Sequence, residues 1–129
     1  MDEILITLQP ATWKAIKKGD ITIILQHTKP DKMFYPFRAI VYAFELGVVG
    51  KFDCDQITQT IRPAQFAGVG KSGFTEEELH EYAAGHPICG WYVKENSVVE
   101  YEIPFPLEMA TGIKNPPKCW QYLHREEST

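Results

Sequence analysis

The chain is short of disulfide material. Its three cysteines, Cys54, Cys89 and Cys119, are odd in number and far apart, so no disulfide framework is expected, only free and mostly buried thiols. No apolar run approaches the roughly 20 residues that span a bilayer. The start, Met-Asp-Glu-Ile, has neither the basic region nor the long apolar core of a secretion signal. A cytoplasmic protein without membrane association is the expectation. Excess positive charge is missing too: the formal net charge is −4, so any nucleic-acid contact has to come from a local patch. The histidines at 27, 80, 86 and 124 form no metal set, and His86-x-x-Cys89 is half of one. Neither a metal nor any other cofactor is expected. Internal repeats and linkers are absent.

With 44% apolar and 23% charged residues in 129, the composition is that of a globular chain able to bury roughly two-thirds of its unfolded surface. One domain over residues 1–124 with a tail at 125–129 is expected. Acid is concentrated on one segment, Glu76, Glu77, Glu78 and Glu81.

Glu3 to Leu8 alternates weakly and reads as a strand. The stretch after it reads as a helix. Pro10 suits its first turn, Trp13 and Ile16 share a face, Lys17 and Lys18 fall in the last turn, and Gly19 takes the left-handed cap. A strand pattern follows at once and stops at Pro30. Alternation places Thr22, Ile24, Gln26 and Thr28 on one of its faces. A helix that turns into a strand at one glycine is a compact place for a binding site.

Phe37 to Phe44 reads as a strand buried on both faces, turned at Leu46-Gly47 into an antiparallel partner from Val48 to Phe52. Asp53 to Gly73, with Pro63 and three glycines, reads as a long irregular connection. Thr75 with Glu78 makes a capping box for a helix ending near Ala84. Gly90 to Lys94 and Ser97 to Ile103 read as strands joined across Glu95-Asn96. Pro104 and Pro106 then break the pattern, Leu107 to Ala110 reads as one helical turn, and Trp120 to Leu123 as a closing strand. The fold class is α+β: a small, strongly curved mixed sheet or β-barrel of about six strands with two or three helices.

Gln26 offers an amide donor and acceptor suited to a base edge, with Lys29 at its rim; the competing reading is a solvated sheet edge and a loop charge. Gly68-Val-Gly-Lys-Ser72 ends like a phosphate loop. However, Gln65 stands where that motif has its first glycine, and no buried strand precedes it. It reads as a loop flanking the cleft, from which Lys71 reaches a phosphate. Asp53-Cys-Asp55 holds its thiol between carboxylates that raise its pKa, so Cys54 reads as structural. Tyr42, Trp91, Trp120 and Tyr122 are candidates for stacking on bases, against a competing role in the core; Trp91 and Tyr42 are placed at the cleft.

The order of these features resembles the ASCH domain, a PUA-like β-barrel whose small members stand alone in bacteria and phages. The resemblance rests on Lys17 to Gly19 with Thr22 and Pro30, on Pro36 to Tyr42, Val49 to Asp55 and Gly73 to Tyr82, on Gly90-Trp-Tyr92 and on Pro116 to Tyr122. It implies a cleft at the helix-to-strand junction that takes single-stranded RNA or a nucleoside-like small molecule. ASCH domains typically read Gly-x-Lys-x-x-x-x-Arg there, and the two cations fall on Ile21 and Gln26. The threonine of members that deacylate modified nucleosides falls on Ile24, and their glutamate has no counterpart in Val69 to Phe74. Recognition without hydrolysis, through Thr22, Gln26, Lys29, Tyr42, Lys71 and Trp91, is therefore the expectation. The alternatives are a small hydrolase, a modified-nucleoside amidohydrolase or ribonuclease with relocated groups, and a protein-interaction module using the acidic helix, its partner unknown.

Overall fold

The computed structural model of the chain describes residues 1–66 and 72–123. Its elements run β1 (Glu3–Leu8), α1 (Pro10–Lys18), β2 (Ile23–Gln26), β3 (Phe37–Ala43), β4 (Gly47–Thr60), a 3-10 turn (Pro63–Phe66), α2 (Glu76–Ala83), β5 (Ile88–Val93), β6 (Val99–Phe105), α3 (Leu107–Thr111) and β7 (Trp120–Tyr122). The strands form one mixed sheet in the order β2-β5-β4-β3-β1-β7, with β6 also on β4. β1 and β3 are parallel, which the long connection through α1 and β2 permits, and the other pairs are antiparallel. The sheet curls into a half-barrel. No helix among the described residues is long and apolar enough to cross a membrane.

Local signals set the helices. Pro10 opens α1, and Gly19, at φ 79°, closes it with its N–H donating to the Ala15 and Ile16 carbonyls. At α2 both bonds of the capping box form: the Glu78 N–H donates to Thr75 Oγ1 at 3.1 Å, and the Thr75 N–H to Glu78 Oε1 at 2.9 Å.

β4 departs from the expected irregular connection. It pairs with β3 through Cys54, passes a bulge, and then pairs with β5 from Gln56 to Thr60. The extra residue in the bulge shifts the alternation by one, so Phe52, Cys54 and then Ile57 point to the same interior. A strand with that spacing does not read as one. Pro104 was expected to end β6, yet the strand runs through it to Phe105. β6 is paired on one side only among the described residues, so nothing there needs the missing N–H. β5 and β6 flank a turn at Asn96, φ 64°, but pair with different parts of β4. β3 buries one face fully, Phe37, Ala39, Val41 and Ala43, whereas Arg38, Ile40 and Tyr42 are half-buried on the other.

Three apolar clusters result. The interior of the curl holds Ile4, Ile6, Phe37, Phe52 and Trp91, with Trp13 and Ile16 of α1 closing one end. α2 covers a second cluster against Ile23, Leu25, Phe66 and Ile88, and α3 a third against Leu5 and Val48. The plug is tight at Gly50, where a Cβ would collide with the Val99 carbonyl and lie 2.6 Å from Trp13 Cζ2. Gly50→Ala is expected to lower the unfolding free energy by about 3 kcal/mol or more, against about 1 kcal/mol for Thr75→Ala. Urea denaturation of both variants checks this; a smaller loss at Gly50 than at Thr75 contradicts the tight plug.

Candidate functional site

β2 and β7 stand at opposite ends of the strand order, and tryptophans bring them together. The Trp91 indole N–H donates to the Thr28 carbonyl at 3.2 Å, and the Trp120 indole N–H to Thr28 Oγ1 at 2.8 Å. The two rings lie 5.7 Å apart, and Phe37 meets Trp91 edge-on at 5.6 Å. Just beyond, the Asp31 N–H donates to the Tyr122 hydroxyl at 2.9 Å. The segment after β2 is thus fixed at the open end of the curl.

The two ends of β2 differ in chemistry. Before its start, at the junction with α1, lies a groove of about 610 Å³ lined by Lys17, Lys18, Ile21, Thr22, Lys94, Glu95 and Asn96. Lys17 is committed to an ion pair with Glu100. Lys18 and Lys94 are exposed and make no ion pair among the described residues. At the other end the register sets Gln26, Cys89 and Gln59 side by side on three strands, hence on one face. Gln26 is only 7% exposed. Its carboxamide makes no hydrogen bond among the described residues, although it is not sealed from solvent.

Burial pushes the Cys54 thiol up to about 12, with Asp55 adding to the rise and backbone contacts at Gln56 and Tyr92 opposing it. Burial also raises Cys89 against the pull of Lys29. Both thiols stay protonated at neutral pH and are poor nucleophiles. No cluster of three or more metal-ligating side chains occurs among the described residues.

The residues singled out in the sequence are not all brought together. Thr22 and Gln26 sit at opposite ends of β2, about 13 Å apart along the strand. Lys29 lies past Gln26 and pairs with Asp31 at 3.7 Å. Trp91 is fully buried, its N–H spent on Thr28, so it braces the loop and offers no free ring face. Tyr42 is on the opposite face of the sheet, in the cluster under α3. Lys71, with most of its glycine-rich loop, lies outside the described residues; Gly73 after it packs on Ile21, a Cβ there meeting Ile21 Cδ1 at 3.2 Å. Ile24 is buried beside Trp91. Sequence reasoning missed Gln59, because β4 was cut short, and Lys94, which gives no signal until β5 is set against β2.

The curled mixed sheet, the plugging helix and the loop gripped at its open end define an α+β half-barrel of the ASCH type. Among solved structures, the chain is similar to the ASCH protein of Zymomonas mobilis, with 21% identity, TM-score 0.75, and coverage of 98% of this chain and 90% of that one. It is similar also to a serine-to-alanine variant of that protein, at 20% identity, TM-score 0.77 and coverage of 98% and 91%. A tyrosine-to-phenylalanine variant gives 19% identity, TM-score 0.78 and coverage of 99% and 94%. No family model matches the sequence, and no curated protein matches it. The likeness is one of fold.

The Cys54 thiol has an ordinary value of 9.0 and ionises at about 12 in the fold. As pH rises through that window the unfolded chain releases its proton first, so stability falls, by up to about 1.4 kcal/mol per pH unit. Below pH 9 both states hold the proton and the thiol contributes no slope. Urea unfolding at stepped pH is expected to give a shallower decline above pH 9 for Cys54→Ala than for the unaltered chain. Parallel declines would mean that the thiol is not held protonated.

Proposed function

We propose that this chain is an ASCH-type domain that binds single-stranded RNA along β2 and acts by recognition, without catalysis. The observation that carries the reading is the convergence on the groove at the α1–β2 junction of two ammonium groups, Lys18 and Lys94, that make no ion pair among the described residues, in a chain whose net charge is −4. A local basic groove is the footprint of a phosphate site when the whole molecule repels polyanions. Thr22 and Asn96 in the same groove add neutral hydrogen-bonding groups. Farther along the strand, the Gln26 amide presents a donor and an acceptor with no hydrogen-bond partner among the described residues, which suits a base edge.

The same segment speaks against catalysis. Ile21 and Ile24 stand where the resemblance to ASCH domains would put a lysine and a threonine, and hydrocarbon neither takes up a proton nor attacks a carbonyl. The two buried thiols, held protonated, do not replace them.

Anisotropy with a labelled ten-nucleotide RNA tests the reading. Affinity is expected to fall with salt, and the double variant Lys18→Gln, Lys94→Gln is expected to lower the slope of log K against log salt by about 1.4, for two phosphates lost. Gln26→Leu is expected to weaken binding about tenfold while stability stays level or rises, since the amide it removes has no hydrogen-bond partner among the described residues. Absence of binding at low salt overturns the reading. Binding that ignores salt points to a nucleoside-like small molecule held at the Gln26 end alone.

A further inference from the structure

The loop that follows β2 exposes aromatic surface without being loose. Phe34 is 87% exposed and Tyr35 46%, yet the backbone on both sides is held. Pro30 is buried, the Asp31 N–H donates to the Tyr122 hydroxyl, and Met33 packs on the interior cluster. The Phe34 N–H donates to Asp2 Oδ2 at 3.2 Å, and the Tyr35 ring lies 5.7 Å from that of Phe37. A single exposed phenylalanine on a mobile loop needs no explanation. This one is presented on a segment tied to β3, to β7 and to Asp2 just before β1, next to a second aromatic ring, so little ordering entropy remains to be lost when something lands on it.

The charges around it select the partner. Lys32 is exposed and makes no ion pair among the described residues; Lys29 is matched by Asp31, and Asp2 is turned to the backbone of Phe34. Exposed rings beside an uncommitted ammonium group are the elements of a stacking platform for single-stranded nucleic acid, where every base has a π face and lysine follows the phosphate. We infer that Phe34, backed by Tyr35 and Lys32, is such a platform for one base of the bound strand. The inference rests on the RNA-binding reading and adds a second contact region to it. Thr22 in the groove and Thr28 at the root of the loop are six residues apart, about 20 Å along an extended chain, so a strand of several nucleotides is needed to reach both.

The test uses a twelve-nucleotide RNA carrying one 2-aminopurine, whose fluorescence is quenched by stacking. Phe34→Ala is expected to weaken binding about tenfold and to abolish the protein-dependent quenching, with an unchanged melting temperature because the ring is exposed. Phe34→Trp is expected to keep both affinity and quenching. Salt-dependent binding by the unaltered chain that Phe34→Ala leaves untouched overturns the platform and spares the reading beneath it. No RNA binding by the unaltered chain overturns that reading and the platform with it.

Discussion

Two indole N–H groups hold one threonine, and the closure of the fold depends on that contact. Trp91 takes the Thr28 carbonyl and Trp120 its hydroxyl. In a sheet ordered β2-β5-β4-β3-β1-β7 no ladder joins β2 to β7 among the described residues, and these side-chain contacts bridge the two ends instead. The grip makes the curl a half-barrel, buries Trp91 completely, and fixes the course of the chain from Thr28 to Pro36. That segment brings Lys29, Lys32, Phe34 and Tyr35 to the open end.

The other end is closed by α1, and the same helix supplies the basic groove. Its inner face, Trp13 and Ile16, plugs the curl over Gly50, while Lys17 and Lys18 in its last turn compensate the carbonyl end of the helix and line the junction with β2. Packing and charge on one nine-residue helix therefore meet at the start of β2. The acidic first turn of α2 lies on the other face of the sheet, where it serves the helix N-terminus and its capping box.

Much of this was legible wherever the signal is local. Pro10 and Gly19 mark α1 because their backbone constraints are intrinsic, and Thr75 with Glu78 marks α2 because two side chains satisfy two orphan N–H groups three residues apart. What failed was set by distant partners. β4 hides behind a bulge that breaks its alternation, Pro104 is tolerated because β6 pairs on one side only among the described residues, and Trp91 has the pattern of a cleft residue although its N–H is donated to a loop sixty-three residues earlier. Tyr42 looked equivalent to Trp91 in a strand pattern, and only the register shows that they face opposite sides of the sheet. Gln26 was legible as an odd polar residue in an apolar strand, but its lack of a hydrogen-bond partner among the described residues is a tertiary fact.

The central claim is that β2 and the segments flanking it carry the ligand. It is tested most directly by following backbone amide resonances while single-stranded RNA is added. The account predicts shifts confined to Lys17 through Tyr35 and to Lys94 through Asn96. Shifts centred on α2 or α3, with β2 unmoved, would contradict it.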